Sequence, residues 1–117
     1  MKHRLRGTSD FQRVYKRGKR YEGSLITAFV LPNGFAYHRL GVTASKKALG
    51  KAHERNRAKR LLRETFRLAS LPLGNLEGKY DWVLNGRRRL LSSKVTNSLA
   101  EFEKIIGTVA VDETVPE

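Results

Sequence analysis

The chain has 117 residues, and its 24 Lys and Arg outnumber its 11 Asp and Glu, so that its net charge at pH 7 is +13. A hydrophobic content of 39% is enough for one modest core and excludes a chain disordered throughout, while the excess charge predicts a polyanionic partner, nucleic acid first and an anionic membrane surface second. The lack of Cys excludes disulfides and thiolate metal sites, and the lack of a membrane-spanning apolar run or of an apolar secretory segment predicts a cytoplasmic protein.

The N-terminal residues predict a basic arm followed by a short helix. Residues 1–7 are basic and contain too few apolar groups to fold alone. Ser9 and Gln12 have the spacing of a capping box, which predicts a helix over residues 10–17 that ends before Gly18. The apolar and aromatic residues of this helix recur at helical spacing and share one face: Phe11, Val14 and Tyr15.

The next part of the chain predicts three strands. Residues 18–23 are bounded by glycine and predict an extended edge segment. Residues 24–31 are rich in strand-forming side chains, and both alternating rows are apolar, so both faces of this strand are expected to be covered. A turn at Pro32-Asn33-Gly34 leads to a returning strand over residues 39–45. The two strands are predicted to form an antiparallel pair.

A long helix is predicted over residues 52–69, and its apolar and basic side chains lie on opposite faces. The face predicted to pack contains Ala58, Leu62, Thr65, Phe66 and Ala69. The opposite face contains Arg55, Asn56, Lys59, Arg60, Arg63 and Arg67. Glu64 lies near Arg60 and Arg63, whereas most of the other cations have no acid one turn away. Because unpaired guanidinium groups bind phosphate through two hydrogen bonds, this helix is predicted to contact RNA or DNA.

The C-terminal part predicts a loop, a strand and a last helix. Residues 71–75 end the long helix, and residues 80–84 form a strand. Ser92 or Ser93 can cap the last helix, whose apolar residues keep helical spacing: Val95, Leu99, Phe102, Ile105 and Ile106. Residues 107–117 show no periodicity and are predicted to be a disordered tail.

The elements follow the order α-β-β-β-α-β-α, which predicts a compact α+β sandwich with three helices on a small mixed four-stranded sheet. One domain is predicted over residues 1–106. No internal repeat is visible in the sequence.

The sequence offers no candidate active site. Its three histidines lack the spacing of a zinc-binding helix, and it has neither a nucleophile elbow nor a Cys nucleophile. Phe11, Tyr15 and Phe29 leave two alternatives open: a place in the core, or a platform on which unpaired bases stack beside a basic rim. Helical and strand periodicity are consistent with both.

Four segments match the motifs of one known family. Residues 45–64 contain Ser45-Lys46-Lys47 and, after Lys51, the triplet Arg55-Asn56-Arg57. Residues 10–15 read Asp-Phe-Gln-Arg-Val-Tyr ahead of a glycine, and the other two segments read Arg39-Leu40-Gly41-Val42 and Tyr80-Asp81-Trp82-Val83. Together they resemble the Arg-Asn-Arg box, the first helix and the flanking strands of the bacterial ribonuclease P protein subunit. The similarity spans about residues 5–105.

The resemblance implies a fold like that of the second domain of ribosomal protein S5, with a left-handed β-α-β crossover through the box helix, against the usual right-handed rule. It implies an accessory subunit of an endoribonuclease: a large partner RNA, ribonuclease P RNA, cleaves precursor tRNA and releases the mature 5′ end. It also implies that this RNA-based enzyme requires Mg²⁺, that the protein binds no cofactor, and that one protein monomer joins one RNA.

Two RNA-binding surfaces follow from the resemblance. The residues implied to bind the catalytic RNA are Lys46, Lys47, Lys51, Arg55, Asn56, Arg57, Lys59, Arg60, Arg63 and Arg67. The residues implied to bind the single-stranded 5′ leader, which is the part of precursor tRNA that is removed, are Phe11, Arg13, Tyr15, Lys16, Arg17, Thr27, Phe29, Arg87 and Arg88.

Other functions are compatible with the same sequence. A structural RNA-binding protein of the ribosomal type would also combine excess positive charge with a strand-helix-strand order. A protein nuclease acting alone would need a cluster of acids for metal ions, which the sequence does not present. A DNA-binding protein would need a recognition helix whose side chains read base edges.

Overall fold

The computed structural model describes residues 3–115, which form four strands and five α-helices. In chain order these are α1 (Gly7–Arg17), β1 (Lys19–Glu22), β2 (Ile26–Pro32), β3 (Arg39–Thr43), α2 (Lys46–Leu49), α3 (Ala52–Leu68), α4 (Ser70–Gly74), β4 (Tyr80–Gly86) and α5 (Val95–Thr114). The predicted α+β class is confirmed, and the short helices α2 and α4 are additions to the prediction. Within the described range, no helix is both long and apolar enough to cross a lipid bilayer.

The four strands form one mixed sheet in the order β1-β2-β4-β3. β2 runs antiparallel to β1 and β4, and β3 runs parallel to β4. The predicted antiparallel pairing of residues 24–31 with residues 39–45 is therefore wrong, because β4 lies between them. Nearly all of β4 is buried, as expected for a strand that has a neighbour on each side and is covered on both faces of the sheet.

The connection from β3 to β4 passes through α3 and joins two parallel neighbours. It is thus the β-α-β unit that the resemblance implied. Its left-handedness stays a prediction.

The two faces of the sheet are covered unequally. The face toward α3 and α5 holds the main core, which includes Ile26, Val30, Phe66, Trp82 and Phe102. The opposite face holds a smaller cluster, Leu5, Val14 and Val83, to which the arm, α1 and β4 contribute. Phe29 and Leu31 pack against this smaller cluster and are only partly buried. The second face therefore keeps an open region beside α1.

The described residues of the N-terminal arm are attached to the sheet. Arg4 forms a parallel bridge with Leu40 of β3. The backbone N–H of Leu5 donates to the carbonyl of Leu40 (2.9 Å), and the N–H of Leu40 donates to the carbonyl of His3 (3.0 Å). The side chain of Leu5 is buried. The arm thus depends on the sheet for its structure.

The start of α1 differs from the prediction. The helix begins at Gly7 with Arg6 as its N-cap residue. The predicted capping box of Ser9 and Gln12 is therefore wrong, because both residues lie inside the helix. Instead, Asp10 accepts a hydrogen bond from the backbone N–H of Arg6 (2.9 Å). This bond lowers the pKa of Asp10, since a carboxylate in the first turn is stabilised by the positive end of the helix.

The last helix continues beyond the predicted end of the domain. α5 ends at Thr114, so the predicted disordered tail from residue 107 and the predicted domain boundary at residue 106 are both wrong. The carboxylate of Glu113 accepts two backbone N–H groups of the loop before β4 (3.0 and 2.8 Å). The acidic residues after residue 106 led to the prediction of a solvated tail, but one of them, Glu113, attaches α5 to the rest of the fold. The last two residues of the predicted tail lie outside the described residues.

The predicted cap of this helix is also wrong. A 3₁₀ turn occupies Arg88–Ser92, and α5 begins only at Val95. The hydroxyls of Ser92 and Ser93 donate to the carbonyl of Arg89 (3.1 and 2.9 Å). They close the 3₁₀ turn instead of capping the helix.

The ring of His38 makes three hydrogen bonds. Its Nδ1 atom accepts the backbone N–H of Tyr80 and the indole N–H of Trp82, both at 3.1 Å. Its Nε2 atom donates to the carbonyl oxygen of Leu73 (3.1 Å). Burial lowers the pKa of His38 below its ordinary value of 6.5, because the charged ring would lose solvation. A proton on Nδ1 would also displace both donors.

Acidification below about pH 6.5 is therefore expected to lower the free energy of unfolding. The unfolded chain takes up the His38 proton first, so stability falls by up to about 1.4 kcal/mol per pH unit between the unfolded and the folded pKa. Urea unfolding followed by the fluorescence of Trp82 measures the slope from about pH 7 to about pH 5. His38→Gln should remove this slope and His53→Gln should keep it. An equal slope in all three proteins would contradict the prediction.

Candidate RNA-binding surfaces

α3 separates packing and charge as predicted. Its buried residues are Ala58, Leu62, Thr65 and Phe66, and Ala69 is buried directly after the helix. Residues three or four positions apart share a face of a helix, so the Arg and Lys residues between them face outward. The predicted two-sided character of this helix is confirmed.

The outward surface of α2 and α3 is referred to as the basic face; its residues are Lys46, Lys47, Lys51, Arg55, Asn56, Arg57, Lys59, Arg60, Arg63 and Arg67. Ser45 starts α2 by accepting the backbone N–H of Ala48 (3.0 Å), and Gly50, whose φ of 72° favours glycine, leads into α3. The lysines of α2 thus precede the arginines of α3 along one surface. Arg57 and Arg60 are exposed, and no carboxylate among residues 3–115 pairs with either.

Two residues of the basic face have partners inside the protein. Arg67 pairs with Glu64, and this hydrogen bond lowers the pKa of Glu64. Arg55 donates to the carbonyl oxygen of Gly50 (3.2 Å). The position of Glu64 near Arg60 and Arg63 predicted that it would form an ion pair with one of them. That prediction is wrong, because Glu64 pairs with Arg67. An exposed ion pair contributes little to stability, so Arg67 can exchange its carboxylate for a phosphate at small loss.

A second surface lies on the other face of the sheet. Phe11 and Tyr15 of α1 stand beside Phe29 of β2, and these three residues form what is referred to as the aromatic cleft. The rings of Tyr15 and Phe29 meet edge to face, with centres 4.8 Å apart and an angle of 82°. Tyr15 is 38% exposed, and Phe11 and Phe29 are half-buried. The rings belong neither wholly to the core nor wholly to the solvent, so their exposed parts can accept a ligand.

Gly41 allows α1 to approach the sheet closely at this cleft. Gly41 of β3 is level with Val83 and Phe29 across the sheet. A Cβ atom at Gly41 would lie 2.6 Å from the ring of Phe11, which is closer than such atoms can approach. Glycine is therefore needed here to seat the Phe11 ring.

Polar groups form one end of the cleft. The hydroxyl of Tyr15 donates to Oδ1 of Asn85 (2.9 Å), and the hydroxyl of Thr43 donates to the same atom (2.5 Å). Tyr15 is thus held in place by β3 and β4. Thr27, which the resemblance implies to bind the leader, lies opposite Asn85 in the register but is buried. It belongs to the floor of the cleft.

The cations predicted beside the cleft differ in their availability. Arg13 is engaged by Asp10 (2.9 Å) and lies 3.6 Å from Asp81. Lys16 and Arg17 are exposed on α1. The guanidinium of Arg87 donates to the carbonyl of Gly23 (3.1 Å), and Arg88 is exposed at the start of the 3₁₀ turn. Lys16, Arg17 and Arg88 are therefore better placed than Arg13 and Arg87 to meet phosphate.

Sequence reasoning missed Arg20, which the structure places at the cleft. Arg20 of β1 is paired with Phe29 of β2, and its guanidinium lies 5.8 Å from the centre of the Phe29 ring. A hairpin centred between Ser24 and Leu25 would have predicted this neighbour, because residues opposite each other in an antiparallel pair are in contact. The pairing of Thr43 with Asn85 could not be predicted in this way, because it depends on where β4 lies in the sheet.

The basic face and the aromatic cleft meet at one point. Arg63 of α3 and Phe11 of α1 line the same small cavity at the edge of β3, together with Arg4 and Val42. Arg63, assigned above to the catalytic RNA alone, is therefore placed to contact ligands on both surfaces.

The two surfaces are suited to binding nucleic acid. Guanidinium and ammonium groups bind phosphate, and the exposed parts of aromatic rings bind the faces of bases. Among residues 3–115, no three acidic or histidine side chains lie close enough together to hold a metal ion.

The fold and the two surfaces define a basic α+β protein of the RNA-binding class. The family model described as Ribonuclease P matches residues 1–110. The chain belongs to the ribonuclease P protein family.

Individual relatives agree with this assignment. The chain is 37% identical over 103 residues to the ribonuclease P protein component of Caldanaerobacter subterraneus subsp. tengcongensis, covering 88% of this chain and 85% of that one. It is similar to the structure of the Staphylococcus aureus RNase P protein, with a TM-score of 0.76, 25% identity and coverage of 93% and 96% of the two chains. It is also similar to the RNase P protein from Thermotoga maritima, with a TM-score of 0.76, 28% identity and coverage of 90% and 96%.

Proposed function

We propose that this protein is the protein subunit of ribonuclease P, which binds the catalytic RNA through the basic face and the 5′ leader of precursor tRNA through the aromatic cleft. Membership of the ribonuclease P protein family supports the RNA partner. The observation that carries the second part is the aromatic cleft itself: partly exposed rings lie on an open sheet face beside cations.

The cleft favours single strands over duplexes. In a duplex the faces of the bases are stacked on one another, whereas unpaired bases can stack on protein rings. The leader of a precursor is single-stranded, and the exposed Lys16 and Arg17 can meet its phosphates. Each stacked base contributes roughly 1–3 kcal/mol.

In this proposal the protein and the RNA have different roles. The partner RNA performs the cleavage, and Mg²⁺ bound to that RNA would supply an activated water for the attack. The protein raises the affinity for precursor, because mature tRNA has no leader to place in the cleft. Product can then leave while substrate stays bound. The complex works in the cytoplasm as one protein monomer on one RNA.

The protein is therefore expected to raise the precursor affinity of ribonuclease P RNA, most clearly at low Mg²⁺. Cleavage and binding are measured with and without the protein, using precursor and mature tRNA. Phe29→Ala should weaken precursor binding by about 5- to 100-fold, because one stacking surface is lost. The same variant should bind ribonuclease P RNA and mature tRNA as the unaltered protein does.

Three outcomes would contradict this proposal. They are cleavage by the protein alone, unchanged precursor affinity when the protein is added, and an equal effect of Phe29→Ala on mature tRNA. Phe29→Leu serves as a control for folding, because it keeps most of the buried apolar volume and removes the ring.

A further inference from the structure

Three aromatic rings lie in series at the surface, outside the aromatic cleft. The rings of His3 and Tyr37 have centres 3.8 Å apart and an angle of 17°. The rings of Tyr37 and Phe35 are 5.5 Å apart with an angle of 5°. The guanidinium of Arg39 lies 4.7 Å from the centre of the Phe35 ring. These four residues form a continuous series of flat groups, which is referred to as the aromatic column.

The aromatic column is exposed. Phe35 is 45% exposed and Tyr37 is 38% exposed, and neither ring belongs to the two clusters of buried apolar side chains. Both rings come from the connection between β2 and β3, for which the sequence predicted only a turn. Neighbouring apolar rings that remain this accessible are typical of a binding surface, since burial in the fold does not account for them.

Asn33 holds the loop that carries the column. Its Oδ1 atom accepts the backbone N–H of Phe35 (2.8 Å). Its Nδ2 group donates to the carbonyl of Tyr37 (3.2 Å) and to the buried carboxylate of Asp81 (3.0 Å). The rings are thus fixed before any ligand arrives, and a ligand would lose little free energy in ordering the loop.

A groove connects the column to the aromatic cleft. Leu31 lies two residues after Phe29 on β2 and therefore faces the same side of the sheet. Leu31 lines a depression of about 470 Å³ together with Phe35 of the column, three arginines and two aspartates: Arg13, Arg17, Arg39, Asp10 and Asp81. Because the aspartates engage Arg13 and Arg39, Arg17 is the cation of this depression that is placed to meet a phosphate. On the far side of the column, Arg67 and Lys79 line a second depression beside His3 and Tyr37. Cations therefore border the column on both sides.

We propose that the aromatic column is a second stacking site, which binds unpaired bases of the 5′ leader that extend beyond the aromatic cleft. The proposal rests on the function proposed above, because it assigns the leader to the cleft first. The rings of Phe35 and Tyr37 supply stacking surfaces, and the exposed Arg17 of the groove meets a phosphate between the two sites. The distance along β2 from Phe29 to Pro32 is about 10 Å, so that only a few nucleotides separate the sites.

The test uses the complex of ribonuclease P RNA with this protein and a series of precursors whose leaders grow one nucleotide at a time. With the unaltered protein, affinity is expected to rise as the leader fills the cleft and to rise again when it reaches the column. Tyr37→Ala should remove the second rise, with a loss of about 5- to 100-fold for long leaders and none for short ones. Tyr37→Trp should keep it. Val111→Ala, at another exposed apolar residue, should behave as the unaltered protein.

Abasic nucleotides in the distal part of the leader separate base contacts from phosphate contacts. For the unaltered protein they should reproduce the loss caused by Tyr37→Ala, and the variant should lose nothing further. If Tyr37→Ala instead weakens abasic and ordinary leaders equally, the column does not stack bases and the proposal is overturned. It is also overturned if the variant weakens the binding of ribonuclease P RNA alone, which would assign the column to the catalytic RNA.

Phe29→Ala distinguishes failure of this proposal from failure of the proposed function. If Phe29→Ala weakens binding at every leader length that fills the cleft while Tyr37→Ala has no effect at any length, leader binding stands and the column site is overturned. If neither variant has an effect, both proposals are overturned. Circular dichroism of each variant confirms that the comparison is made between folded proteins.

Discussion

Combining Arg57→Ala with Arg60→Ala is expected to weaken the binding of ribonuclease P RNA by at least about 100-fold. Both side chains are exposed on the basic face and pair with no carboxylate among residues 3–115, so that they are available for phosphate. A hydrogen bond to a charged group contributes about 1.5–3 kcal/mol, and two guanidinium groups are lost. The dependence of the logarithm of affinity on the logarithm of salt concentration should also become shallower, by about 0.7–0.9 for each lost phosphate contact.

A titration of labelled ribonuclease P RNA at several salt concentrations measures both effects. Lys94→Ala combined with Lys104→Ala is the matched control, because it removes the same charge from exposed positions near and on α5. If the control pair weakens binding as much as the arginine pair, general positive charge would explain the affinity, and the basic face would lose its assignment. Arg63→Ala should differ from both pairs by weakening precursor binding as well, because Arg63 shares a cavity with Phe11.

Asp81→Ala is expected to lower the free energy of unfolding by about 3–5 kcal/mol, which is the usual loss when one partner of a buried ion pair is removed. The Asp81 side chain is 2% exposed and that of Arg39 is 17% exposed. The carboxylate accepts Nε and Nη2 of Arg39 at 2.7 and 2.6 Å and Nδ2 of Asn33 at 3.0 Å. Its loss would leave a nearly buried guanidinium without a partner. Urea unfolding followed by Trp82 fluorescence measures the change.

Two companion variants test the physical reason. Removing both partners, with Asp81→Ala and Arg39→Ala together, should destabilise the protein by less than the sum of the single changes, because no charge is left unpaired. Glu22→Ala removes an exposed ion pair with Arg20 and should change stability by about 1 kcal/mol or less. A loss for Asp81→Ala as small as that for Glu22→Ala would show that the buried pair does not stabilise the fold.

Local patterns predicted the positions of the three longer helices, α1, α3 and α5. The division of α3 into a packed and a charged face depends only on the spacing of residues such as Ala58, Leu62 and Phe66, so it is readable from the sequence. The end of α5 could not be predicted in this way. Its last turns depend on Glu113, whose partners lie in the loop before β4, and a distant partner leaves no signal in local periodicity.

The pairing of the strands and the residues that support the aromatic cleft could not be predicted either, because they too depend on partners that are distant in the chain. The expectation that β2 pairs with β3 follows from their closeness in the chain, but β4, which is distant in the chain, is the more completely buried strand and takes the place between them. Gly41 and Asn85 reach the aromatic cleft only through that arrangement. Arg13 is another example: its availability depends on Asp81, which the sequence places far away. Candidate binding residues were predictable, whereas their neighbours were not.

The attachment of the N-terminal arm has a consequence for the behaviour of the protein in concentrated solution. β3 is an outer strand of the sheet, and the outer strand of a sheet can pair with strands of other molecules and start aggregation. At Leu40 the outward N–H and C=O groups are already bonded to His3 and Leu5, so a second molecule cannot add a strand there. The other outer strand, β1, carries the exposed charges of Lys19 and Arg20, which disfavour the approach of an identical strand. The N-terminal arm, which contributes the ring of His3 to the aromatic column, thus also covers the edge of β3 and disfavours self-association through this strand.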